Sequence, residues 1–173
     1  MKNILTFIFL TVFISSCRQS TTDYALQWST EIKNKIYEDM NVAIDSVRID
    51  TSQANFKFIT YFHKQTPIKE YNFHNGDSIG SCFFSPNQDF DIVRELCPGN
   101  KRTFEAIRYK GKHVGLVEFR FCDGKLKEQG YRYGDNVGIW KEWDSSGKLI
   151  KQTEYGNADQ LRNLKTIKYE INN

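Results

Sequence analysis

YKGKHVGLVEFRFCDGKLKEQGYRYGDNVGIWKEWDSSGKLIKQTEYGN, residues 109–157, states one short pattern twice. Val114-Gly115 returns as Val137-Gly138, and Gly124-Lys125-Leu126 returns as Gly147-Lys148-Leu149, both at an offset of 23 residues. A fixed period of this size marks a repeat architecture. Within a unit the physics is local. In Val117-Glu118-Phe119-Arg120-Phe121 apolar and charged residues alternate, which suits a strand with one buried face. Asp123-Gly124 then supplies a turn, because both residues tolerate positive φ. Leu126 to Tyr133 reads as the returning strand. The second unit follows with Trp140-Lys141-Glu142-Trp143, the turn Asp144-Ser145-Ser146-Gly147, and Lys148 to Tyr155. Gly134-Asp135-Asn136 joins the units with more turn chemistry.

Tyr109-Lys110-Gly111-Lys112, Gly115, Gly124-Lys125-Leu126-Lys127-Glu128, Tyr133, Gly138, Trp140, Gly147-Lys148-Leu149 and Tyr155-Gly156-Asn157 resemble MORN-type repeats of bacterial proteins. The YwqK-like group, often labelled antitoxin components, is the nearest in pattern. Residues 71–80 resemble a degenerate earlier copy. Phe121-Cys122-Asp123 departs from the usual run before the turn, and Gly124 to Tyr133 is one residue longer than Gly147 to Tyr155. The resemblance implies a sheet of hairpins. For function the YwqK-like resemblance implies an immunity or antitoxin-like role against a secreted toxin.

The flanking chain extends this picture. Ala25, Trp28, Ile32, Ile36, Met40 and Ala43 recur at steps of three and four, which predicts an amphipathic helix over Asp23 to Ile44 with Thr22 as its cap. From Ser46 the period becomes two. Val47 and Ile49 alternate with Arg48 and Asp50, and Phe56, Phe58, Thr60 and Phe62 with Lys57, Ile59, Tyr61 and His63. Turn signals follow at Gln65, His74-Asn75-Gly76-Asp77, Ser85-Pro86-Asn87-Gln88-Asp89 and Pro98-Gly99-Asn100. Leu164 to Ile171 reads equally as a last strand or as a tail on the sheet. The expected fold is mainly β: an antiparallel hairpin meander of MORN-like repeats with one N-terminal amphipathic helix. Residues 23–173 form one domain in this reading, with the repeats at 109–157.

The N-terminus carries an address. Lys2, the apolar run Ile4 to Ile14 and Ser15-Ser16-Cys17 form a basic start, a short apolar stretch and small residues before a cut site. Residues 1–16 therefore read as a signal peptide, too short to span a membrane. Small residues ending at Cys resemble the bacterial lipoprotein cleavage box. That resemblance implies lipid attachment at Cys17, a tether over 17–22, and, because residue 18 is Arg, an outer-membrane position facing the periplasm. The competing reading is an ordinary secretion signal.

The net charge of +3 falls to about +2 once Lys2 is removed with the signal, too little to argue for nucleic acid. Aromatics at 14% against hydrophobics at 39% favour a thin, aromatic-packed sheet over a deep aliphatic core. Besides Cys17, three cysteines stand at positions 82, 97 and 122, so at most one internal disulfide forms. A hairpin at Pro86-Asn87 does not set Cys82 opposite Cys97, and all three read as small buried apolar residues.

No catalytic constellation stands out. His63, His74 and His113 share no metal-ligand spacing, and the glycines mark turns instead of phosphate loops. The reading is therefore non-enzymatic, with no cofactor and no metal. Trp140, Trp143, Tyr131, Tyr133 and Lys141 form the candidate interaction surface; the alternative is that the aromatics stack as the sheet's own core. Trp140 and Trp143 have opposite parity on a strand. The expected function is a lipid-anchored envelope protein whose repeat sheet binds a protein partner, with a toxin as the specific case. The alternatives are a structural envelope lipoprotein without a discrete ligand and, last, an envelope hydrolase.

Overall fold

A computed structural model describes residues 20–170. The expected signal peptide and Cys17 lie outside the described residues, as does Ile171. The chain runs α1 (Thr21–Asp39), β1 (Ser46–Asp50), β2 (Phe56–His63), β3 (Thr66–His74), β4 (Asp77–Phe84), β5 (Phe90–Cys97), β6 (Lys101–Tyr109), β7 (Lys112–Arg120), β8 (Leu126–Tyr133), β9 (Asp135–Trp143), β10 (Leu149–Glu154) and a 3₁₀ helix (Ala158–Thr166). The ten strands form one sheet in sequence order, and every neighbouring pair is antiparallel. The mainly β hairpin meander with one N-terminal helix is the architecture observed.

Local chemistry makes the hairpins. Asn75-Gly76 and Lys110-Gly111 are two-residue loops with both φ positive, a conformation whose twist matches that of the flanking strands. The 23-residue period has a hydrogen-bonded counterpart. Phe121 N–H donates to Lys125 O and Gly124 N–H to Phe121 O; one period later Asp144 N–H donates to Lys148 O and Gly147 N–H to Asp144 O. The repeated Val-Gly pair is a bulge. Register shifts at Ala106/Ile107 against β7 and at Gln129/Tyr131 against β9 accommodate Gly115 and Gly138, both at positive φ.

These bulges are where helical segments meet the sheet. A Cβ on Gly115 would lie 2.3 Å from Ser29 Oγ and 3.0 Å from the Trp28 ring. One on Gly138 would meet Ala158 Cβ at 3.5 Å. Ser29 Oγ accepts from Leu116 N–H at 2.8 Å and donates to Ala25 O at 2.7 Å, so the buried hydroxyl is satisfied on both sides. The core on this covered face joins Ala25, Trp28, Ile32 and Ile36 to Phe83, Phe90, Ile92, Ile107, Val114 and Val137, with Leu161, Leu164 and Ile167 from the tail. Trp28 Nε1 donates to Ile167 O at 3.3 Å and Tyr169 Oη donates to Asp39 at 2.6 Å, tying the tail to the middle and the C-terminal end of the helix.

Several expectations need correction. The helix starts at Thr21 because Ser20, not Thr22, caps it by accepting from Asp23 N–H. It ends at Asp39 and not near Ile44, because Ala43 O meets His63 Nδ1 at 2.8 Å and the chain is drawn toward β2. Of the two C-terminal readings the tail on the sheet is the one seen: a 3₁₀ helix places Leu161 and Leu164 inward, with Ile167 just after it a further three residues on. The cysteines are not three buried thiols. Cys97 and Cys122 form a disulfide with Cα atoms 6.0 Å apart, and Cys82 alone is a buried free thiol. That pairing needs the β5–β6–β7 register, which carries the end of β5 beside the turn after β7.

Two stability changes follow. Gly115→Ala costs roughly 2–5 kcal/mol, from left-handed backbone strain plus the clash with Ser29 and Trp28. Gly147→Ala, with φ at +93° and open space around it, costs only about 1–2 kcal/mol. Urea titrations of both variants test this, and equal losses would contradict the seat assigned to Gly115. Replacing Cys97 and Cys122 together by Ala removes about 3 kcal/mol, since the bridge spans 25 residues. An unchanged urea midpoint would show that the bridge does not constrain the chain.

Candidate functional site

The strand registers divide the sheet into two faces. On the covered face Arg94 stands opposite Glu105 and Ile92 opposite Ile107; on the other, Asp91 stands opposite Arg108, Val93 opposite Ala106 and Arg108 opposite His113. Among the described residues no helix lies over that second face.

The covered face contains a buried charge. Glu105 is 4% exposed. Lys33 Nζ, Arg94 Nε and Arg102 Nη1 each reach its carboxylate at 2.7 Å. Arg94 Nη2 also donates to Tyr37 Oη at 2.5 Å. Burial acts to raise the Glu105 pKa, but the charge and hydrogen bond of Lys33, then Arg94 and Arg102, outweigh it and hold the group at about 2. Burial, seconded by Glu105, pushes the Tyr37 phenol up to about 12. Both Glu105 oxygens and all three cations are paired within the cluster, which pins α1 to β5 and β6.

The open face differs. Phe104, Ala106, Val117 and Trp140 form its small core, with Val93 and Phe119 against them. Trp140 lies on Gly130, where a Cβ would come within 2.2 Å of the indole. Its Nε1 donates to Tyr131 O at 3.0 Å, and Arg132 covers its ring at 5.4 Å. Arg132 Nε donates to Asn136 Oδ1 at 2.9 Å, and Nη1 donates to His113 Nδ1 at 3.1 Å. Because a guanidinium only donates, His113 accepts through Nδ1 and carries its hydrogen on Nε2. Burial first, then the charges of Arg132 and Arg108, lower the His113 pKa and keep the ring neutral. Arg108 is closed by Asp91, with Nε to Oδ1 at 2.7 Å and Nη2 to Oδ2 at 3.1 Å. Between these groups lies a depression of about 400 Å³ lined by Val93, Glu95, Phe104, Arg108, His113, Phe119 and Arg132.

The residues singled out from sequence do not form one surface. Trp140 is 2% exposed and sits in the open-face core, so it is a packing residue and not a contact residue. Tyr131 and Tyr133 pack on the opposite, covered face. Trp143 is half-buried and Lys141 exposed at the last two strands. His63 and His74 belong to opposite ends of the β2–β3 hairpin, and His74 packs on Phe56 at 4.6 Å. Among the described residues no group of three His, Cys, Asp or Glu side chains is placed to hold a metal. Sequence reasoning missed Arg132 and Glu105. The only signal for Arg132 was its place between Tyr131 and Tyr133, which assigns it to the face the tyrosines do not use.

No protein-family model matches the chain, and no curated protein matches it. Two solved structures resemble it distantly. One is a point mutant of S. aureus TarM in complex with fondaparinux, α-GlcNAc-glycerol and UDP, with a TM-score of 0.35 at 14% identity over 80% of this chain and 26% of that one. The other is a crystal structure of TarM, with a TM-score of 0.34 at 16% identity over 83% of this chain and 30% of that one. The chain thus spans under a third of the length of either.

The Glu105 cluster makes stability depend on acid. The folded pKa, about 2, lies below the ordinary 4.5, so the contribution is complete above pH 4.5 and is lost as pH falls toward 2. Glu105→Gln lowers stability at pH 7 by about 3 kcal/mol and flattens that acid limb. Urea midpoints measured between pH 7 and 3 check this; an unaltered limb in the variant would contradict it.

Proposed function

We propose that the chain is a non-catalytic binding protein of the cell envelope, held to the membrane by lipid on Cys17. Its repeat-bearing sheet engages a protein partner, and a toxin is the specific partner suggested by the antitoxin-like resemblance. The observation that carries this reading is the free edge of the second repeat. Ile139 is 42% exposed, Leu149 45%, Ile150 60% and Tyr155 47%, all on or beside β9 and β10. β10 pairs only with β9, so its outer backbone groups are open to an added strand. Leu149 and Ile150 lie at the bulge where β10 begins, and both are exposed to such a partner. Lys148 adds charge of the kind that keeps an exposed edge from self-association, while Lys151 is paired with Glu142 at 2.8 Å. The separation of the histidines supports the non-catalytic part: His63 and His74 stand at opposite ends of the β2–β3 hairpin, and His113 lies on β7.

The test is capture of partners from envelope membranes by the lipidated chain, alongside Ile150→Lys and Cys17→Ser variants. We expect a stoichiometric protein partner with the parent chain, its loss with Ile150→Lys, and loss of membrane fractionation with Cys17→Ser. Co-expression with a toxin encoded next to this gene should restore growth. Failure to capture any stoichiometric partner would favour a structural envelope component, and an unaffected Ile150→Lys variant would remove the β10 edge from the account.

A further inference from the structure

The open-face depression stands on observations separate from the β10 edge and does not depend on the preceding reading. Its floor is aromatic: Phe104 and Phe119 lie 4.8 Å apart, and His113 meets Phe104 edge-on at 5.8 Å. Its charge is unbalanced at one end. Of the seven described arginines, five have a carboxylate within 4 Å: Arg94, Arg102, Arg108, Arg120 and Arg162. Arg48 and Arg132 have none. Arg48 is exposed, where water solvates it. Arg132 is part-buried, and Asn136, His113 and the Trp140 ring fix its orientation with neutral groups only. A partly desolvated guanidinium held in place without a counter-charge is preorganised for an anion.

We propose that this depression binds a small organic monocarboxylate with an apolar or aromatic body. The body rests on Phe104 and Phe119, and the carboxylate is taken by Arg132, with His113 Nε2–H as a second donor. The nearby charges fit this assignment. Asp91 neutralises Arg108, which leaves Arg132 as the free charge. Asp135, exposed at the start of β9, lines a separate hollow with Arg132 and does not border the depression that holds the aromatic floor. Glu95 stands opposite Phe104 in the register. Phe104 lies four residues, about 13 Å, along β6 from Arg108. Glu95 therefore flanks the apolar end and disfavours a second negative charge there, which is why the site takes monocarboxylates. The volume of about 400 Å³ is in the range of small-ligand sites.

Titration of the ¹⁵N-labelled full chain with 4-phenylbutyrate, followed by backbone amide shifts, tests this. We expect saturable shifts at His113, Gly130, Arg132 and Phe104 with a Kd of about 1 mM or tighter. The neutral 4-phenylbutyramide should bind about tenfold or more weakly, since it lacks the charge-assisted contact. Arg132→Gln should weaken the acid about tenfold and leave the amide unchanged, while Arg48→Gln changes neither. Phe104→Leu, which preserves bulk, should weaken both. Absence of saturable shifts in the parent chain, equal affinity for acid and amide, or shifts confined to the helix-covered face would each overturn the proposal without relying on any variant.

Discussion

The seating of Ser29 on the bulged backbone at Gly115–Leu116 is the contact on which the rest of the structure depends. An open sheet of hairpins has little depth, and each hairpin alone is marginal. It becomes stable when something covers its aromatic face. The helix can approach closely only where the backbone presents no Cβ, and Gly115 supplies that place. Ser29 then fills the gap with a hydroxyl that satisfies Leu116 N–H, a donor that the bulge takes out of the strand ladder. One period later Gly138 offers a second seat, which the C-terminal 3₁₀ helix occupies through Ala158. The repeat is thus more than a way of making hairpins. It spaces two glycine bulges so that the segments before and after the sheet meet on one face, where Trp28 reaches Ile167 and Tyr169 reaches Asp39.

The two faces treat charge in opposite ways. On the covered face a single carboxylate is surrounded by three cations, and the attraction exceeds the cost of burial, as the low pKa of Glu105 records. Such a cluster fixes register: only one placement of α1 brings Lys33 to Glu105 while Ser29 reaches Leu116. On the open face a guanidinium is held by neutral partners and an aromatic ring. The first arrangement is closed and serves the fold. The second leaves binding capacity facing solvent, beside a floor of Phe104 and Phe119.

The strands and hairpins were legible in the sequence because their determinants are local. Alternation in Val117 to Phe121 and left-handed turns such as Lys110-Gly111 act within a few residues. What depends on register was not legible. Cys97 meets Cys122 across β6, and no spacing along the chain announces it. The helix end was misread because Met40 and Ala43 continue the apolar stripe, whereas the deciding contact, Ala43 O with His63, comes from a strand twenty residues away. The three-residue steps of Leu161, Leu164 and Ile167 were visible and point to a 3₁₀ helix once that period is considered. At the site, alternation alone separates Arg132 from its tyrosine neighbours, but its lack of a carboxylate partner follows from the fold.

Amide hydrogen exchange at Leu116 is the most direct measurement of the central claim. If α1 seats on the Gly115 bulge through Ser29, this N–H exchanges only by global unfolding, as slowly as the central amides of β5 and β6, while the edge amides of β1 exchange fast. A Leu116 amide exchanging at the rate of the β1 edge would mean that the helix does not close over the bulge, and the account of how this sheet is stabilised would be wrong.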